Sequence, residues 1–165
     1  MLAVIPENIE KIKRSQYLTF LNTTPTATNP TWKALGVGVN AFGISYNPQV
    51  DTEKWILEDN ARNDHTSNQK QASVTQKCYK NDPCFEFVAE GRDKLNYVTD
   101  ILDIDTWDAT NGAYKAKKTK GIIVVTDYMG ENAEIQYDLY YDGDAEEGTC
   151  TIVDGVPTFT PTASL

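Results

Sequence analysis

Histidine is almost absent from this 165-residue chain: His65 is the only one, and it lies in "NARNDHTSNQKQ" (60–71), a stretch with almost no apolar content. There is no CxxC and no HExxH, so a zinc site lacks its ligands. A Ser-His-Asp or Cys-His arrangement has only His65 to draw on, and no nucleophile turn surrounds it. Cysteine is scarce too. Cys78, Cys84 and Cys150 make an odd count without paired spacing, which suits reduced thiols in an intracellular assembly site better than a disulfide framework, although Cys78 and Cys84 remain able to pair. No apolar run approaches the roughly 20 residues of a membrane span, so no membrane partner is expected. The start, "MLAVIPENIEKIKRS", places a short apolar stretch before its charges, the reverse of a secretory leader.

The most informative absence is of positive charge. Residues 121–165 contain no Lys or Arg but nine acids, Asp127, Glu131, Glu134, Asp138, Asp142, Asp144, Glu146, Glu147 and Asp154, equal to the whole net charge of −9. Residues 1–120 balance fifteen acids with fifteen cations. A nucleic-acid-binding surface needs cations against phosphates, so that class is disfavoured. A solvated acidic surface that keeps the protein soluble is the plain reading of the charge. Neither "DILDIDTWDATNG" nor "DGDAEEG" has the spacing of a calcium loop. No signal marks a carboxylate pair for glycoside hydrolysis, and "GVG" at 36–38 is not followed by a phosphate-loop pattern. No cofactor, metal or catalytic residue is expected.

What is present is alternation. Segments 16–22, 31–47, 50–59, 72–80, 100–108, 121–130 and 133–142 read as strands, with 31–47 long and bent because Gly36, Gly38 and Gly43 disfavour a helix. Residues 23–30 and 60–71 read as loops, 109–120 as a turn entering a basic strand segment, and 148–162 as a short last strand and tail. Only 82–95 changes period: Asp82 caps, Pro83 takes the first helical position, and Phe85, Val88, Ala89 and Leu95 form an apolar stripe. The expectation is one mostly-β domain spanning 1–165 with a single packed helix. In "AEIQYDLYYDGDAEEG" (133–148), Ile135, Tyr137, Leu139 and Tyr141 share one face of a strand. Glu134, Gln136, Asp138 and Asp142 share the other. The apolar face is the expected core face.

The order of these segments resembles that of siphophage major tail tube proteins. "WKALGVGVNAFGISYNPQVDTEKWILEDNA" is similar to the family's Gly-Val-rich strand, its "NP" turn and a strand ending in an acidic cluster, here "LEDN" (57–60). "KNDPCFEFVAEGRDKLN" resembles the helix that follows, and "KAKKTKGIIVVTDYMGENAEIQYDLYYDGDAEEGT" the C-terminal hairpin. The similarity runs from about 16 to 150. It implies a β-sandwich or barrel-type tail tube fold whose hexameric rings close a β-barrel lumen, stack into a tube and conduct phage DNA without binding it specifically. It further implies a tape measure protein, a tail tip and a terminator as partners, assembly in the host cytoplasm and residence in the virion. An N-terminal arm (1–15) and a C-terminal tail (156–165) flank the domain, and the loops 23–31 and 60–71 lie at subunit or ring contacts. On this resemblance Glu134, Asp138 and Asp142 are lumen-facing, since an anionic wall repels phosphate. The rival from another class is a monomeric β-sandwich binding carbohydrate or calcium, with some of nine Tyr and three Trp as stacking platforms. An enzyme reading stands third and would need a pocket with a perturbed acid.

Overall fold

The computed structural model describes residues 7–163, and the first six and last two residues, with those parts of the expected arm and tail, lie outside the description. The described chain is mostly β. It runs through a short 3-10 turn (Arg14–Gln16), then β1 (Tyr17–Asn22), β2 (Trp32–Ala34), β3 (Val39–Ser45), β4 (Pro48–Glu53), β5 (Arg62–Asn68), β6 (Gln71–Lys77), α1 (Pro83–Glu90), β7 (Tyr97–Thr110), β8 (Ala113–Tyr128), β9 (Glu134–Val153) and β10 (Val156–Pro161). Eight strands form one sheet in the order β2-β1-β7-β8-β9-β6-β3, with β10 added to β9, while β4 and β5 pair only with each other. No helix among the described residues is long and apolar enough to cross a membrane.

The sheet curls around its main core. Leu21 and Ile101 from one end and Ala72, Val74, Phe42 and Ile44 from the other belong to the same cluster, together with Ile123, Ile135, Tyr137 and Leu139. Both edges of the sheet therefore share one interior, as in a sandwich, and no barrel closes among the described strands. Helix α1 fills this interior with Cys84, Phe85, Phe87, Val88 and Ala89. A second cluster of Phe20, Leu102, Ile104, Ala116 and Cys150 occupies the opposite face of the sheet, with Trp32 of β2 and Phe159 of β10 packed on it. Ile101 and Leu102 are adjacent yet enter different clusters, as the two-residue period of a strand requires.

Several expectations change. The segment 31–47 is two strands rather than one, because Gly38 turns the chain at φ +72 and its α-carbon lies so close to the Lys77 carbonyl and the Tyr79 ring that a side chain would collide. The strand expected at 50–59 is Pro48–Glu53, and Trp55 and Leu57 fall in the turn beyond it. The loop expected at 60–71 is largely β5, a strand made entirely of exposed residues. The helix stops at Glu90, not at 95. Gly91 caps the helix, where the Tyr97 ring packs so close that a Cβ would collide with it, and Leu95 is 94% exposed rather than part of the stripe. The segments 109–120 and 121–130 join into β8 after the Asn111-Gly112 hairpin turn, whose two residues both have positive φ. The tail expected at 156–165 is mostly β10, folded back on β9 by Asp154-Gly155.

Candidate assembly surface

The clearest unpartnered element is the β4–β5 arm. Every residue of Pro48–Glu53 and Arg62–Asn68 is exposed, and neither strand pairs with the main sheet. A lone two-stranded ribbon is marginal in water. Its tip is braced locally instead: the Arg62 guanidinium lies 4.0 Å above the Trp55 ring and pairs with Glu58, and Trp55 Nε1 donates to Glu53 Oε2 at 3.3 Å. This bracing leaves Ile56 fully exposed and Leu57 94% exposed at the end of the arm. His65 lies on β5, with its Nε2 2.8 Å from Asn68 Oδ1. In sequence, the one signal for the arm was the apolar run Trp55-Ile56-Leu57, which no alternating strand can bury on one face.

Glu134, Asp138 and Asp142 lie together on the face of β9 opposite the main core. Ile135, Tyr137 and Leu139 are buried on the core face and Tyr141 packs beside them. Two of the acids have side-chain partners on β3 and β6: Asn40 Nδ2 donates to Glu134 Oε1 (3.2 Å) and Ser73 Oγ to Asp138 Oδ1 (2.9 Å). Thr75 and Gln136 are in register between these pairs, so this stretch of the face is polar. It continues into a less polar strip, where Val98, Val124 and Tyr140 are exposed.

The acids beyond Asp142 have a different fate. β8 and β9 pair so that Lys117, Lys118 and Lys120 stand opposite Glu147, Glu146 and Asp142, and two of these pairs close to salt bridges of 3.2 and 2.9 Å. The register jumps between Lys120 and Lys118, so residues 143–145 bulge outward, with Gly143 at φ +78. The charge segregated along the sequence is thus partly neutralised in space by the preceding strand. Among the described residues, no three His, Cys, Asp or Glu side chains gather closely enough to hold a metal ion.

Among the buried polar side chains, two carboxylates stand at the centre of hydrogen-bonded clusters, Asp82 with Gln76, and Asp103. Gln76 accepts from Tyr137 Oη (3.1 Å) and donates to Asp82 Oδ2 (2.7 Å) and the Val37 carbonyl (2.9 Å), while Asp82 caps α1 by accepting from Cys84 N. Burial raises the Asp82 carboxyl and pushes the Cys84 thiol up to about 12, which keeps that thiol protonated and inert. The other group is Asp103, 6% exposed. Thr19 Oγ1 donates to its Oδ1 (2.8 Å), Tyr141 Oη donates to its Oδ2 (2.9 Å), and Lys70 Nζ stands 3.6 Å from Oδ2. Burial raises the Asp103 carboxyl despite Lys70 and these donors. Both oxygens are engaged by protein groups, so Asp103 ties Thr19, Tyr141 and Lys70 together.

No protein-family model matches the chain, and no curated protein matches it.

Proposed function

We propose that this protein is the repeating subunit of a bacteriophage tail tube. In this reading hexameric rings stack into a conduit for phage DNA, ended by tip and terminator proteins and filled before ejection by a tape measure protein. The observation that carries the reading is the β4–β5 arm: a ribbon without a core of its own, ending in exposed Ile56 and Leu57. Such an element gains its stability from a neighbouring chain. The resemblance of segment order, the curled sheet with an unpaired β3 edge and the polar outer face of β6 and β9 support the same reading. Six copies meeting edge to edge would close the sheets that one copy leaves open.

Native mass spectrometry and negative-stain microscopy of the purified chain test it. Rings or tubes are the expected result. A monomer at high concentration that stays monomeric when seeded with tail tips, and that binds glycan or calcium, is the result of the rival reading. Replacing Ile56 and Leu57 together by Asp is expected to leave the melting of the unassembled chain within about 0.5 kcal/mol of the parent, because both are exposed surface positions. The same variant is expected to lose assembly; tubes of normal length would remove the arm from the contact.

The polar face of β9 is the wall that DNA passes in this reading. Replacing Glu134, Asp138 and Asp142 by Lys introduces phosphate contacts that gain affinity by counterion release. Tubes are expected to form, and DNA ejection to slow or stall, most at low salt, where charges act unscreened beyond about 8 Å. Normal ejection from particles with intact variant tubes would show that this face lies elsewhere.

A further inference from the structure

We propose that the Lys70–Asp103 pair is an anchor that sets the direction of the β4–β5 arm relative to the sandwich. Gln69 and Lys70 are the two residues between the end of β5 and the start of β6, so Lys70 stands at the root of the arm. Its ammonium passes 4.0 Å from the Tyr141 ring and 5.5 Å from the Tyr46 ring and ends at Asp103, inside the sandwich. Tyr46 and Asn47 join β3 to the arm's other strand, so both legs of the root converge on this one side chain.

The remaining attachments are few. Gln69 N donates to the Tyr46 carbonyl at 2.9 Å, and Asn47 Nδ2 donates to the Gln69 carbonyl at 3.1 Å. These bonds tie the two legs to each other, not to the body. The legs continue into Ser45 of β3 and Gln71 of β6, which pair with each other in the main sheet, and Tyr141 N adds one bond to the Lys70 carbonyl at 3.1 Å. These links all lie at the sheet's edge beside β3 and β6, whereas a side chain threaded to Asp103 of β7 is a separate point of fixation across the sandwich.

The surroundings make the second point matter. A cleft of about 450 Å³ separates Thr66, Ser67 and Asn68 of the arm from Gly143, Asp144 and Ala145 of the β9 bulge. Nothing packed fills that space, so the arm has room to swing towards the bulge. On the core side Asp103 is itself held by Thr19 of β1 and Tyr141 of β9. The anchor therefore joins the arm to three strands of the sheet at once. This inference goes beyond the assembly reading and stands whether or not rings form.

The test is a distance measurement between spin labels at Leu57→Cys on the arm tip and Glu90→Cys on α1, in a Cys78→Ser background, with labelled chain diluted into unlabelled chain. Cys84 and Cys150 are buried and are left in place. The parent is expected to show one narrow distance distribution, and Lys70→Met one that is on the order of twofold broader. Lys70→Arg, which keeps the charge, is expected to restore the narrow form. Val88→Ala, a core variant that is destabilised without touching the root, serves as the control for general loosening. A Lys70→Met width no greater than that of Val88→Ala would overturn the proposal. If Lys70→Met alone does not fold, the double variant with Asp103→Asn removes both charges and replaces it. A double variant with the parent's narrow width overturns the proposal equally.

Discussion

Lys70→Met is expected to lower the unfolding free energy by about 3–5 kcal/mol at neutral pH, the usual cost of removing one partner from a buried ion pair. The Lys70 side chain is 19% exposed and that of Asp103 is 6% exposed, so solvent does little to replace the lost ammonium. The effect has a pH signature. Asp103 is already raised above the ordinary carboxylate value because burial opposes its ionisation. A carboxyl raised in the folded state adds stability below its unfolded value of about 3.9, and that contribution is lost as pH rises through the folded value. Without Lys70 the folded value climbs further. The variant is therefore most impaired where Asp103 must be ionised, and it recovers towards the parent as acidification protonates that carboxyl. Urea titrations at about pH 7.5 and about pH 5 check this. A parent-to-variant gap of constant size would show that Lys70 does not neutralise Asp103. Asp103→Asn added to Lys70→Met is expected to recover much of the loss, since a fully neutral pair leaves no charge stranded.

Phe85→Ala is expected to cost about 3–5 kcal/mol. Phe85 is 8% exposed and sits in the main cluster with Val88 and Leu139. Helix α1 has eight residues, too few to hold together in water without tertiary packing. Losing the ring thus removes buried area and loosens the element that fills the sandwich. Leu95→Ala is the contrast. Leu95 is 94% exposed beyond the end of the helix, so its loss is expected to stay within about 0.5 kcal/mol. Thermal melts of the two variants side by side decide the matter. A Phe85→Ala melt that overlays the parent would show that α1 does not seal the core.

The local features of this fold are legible in its sequence because their causes lie within a few residues. Asp82-Pro83 marks the start of α1, since a side-chain cap and a fixed φ act on the next turn alone. Alternation through Ile135, Tyr137 and Leu139 identifies the core face of β9, and with it the common outer face of Glu134, Asp138 and Asp142. Other features depend on partners distant in the chain. The helix ends where the Tyr97 ring leaves no room for a side chain at residue 91, which no helical periodicity records. The arm is exposed on both faces, so β5 carries no alternation and reads as a loop, although its backbone pairs with β4. The acid-rich end of the chain reads as one unopposed block of charge. Only the antiparallel register brings Lys117, Lys118 and Lys120 beside Glu147, Glu146 and Asp142. Lys70, just before β6, and Asp103, on β7, are 33 positions apart, and since β6 and β7 are not neighbours in the sheet their meeting depends on how the sheet curls. Propensity, capping and two-residue periodicity act along the chain and are written in it. Register, curl and the burial of a charge act across it, and tertiary structure alone decides them.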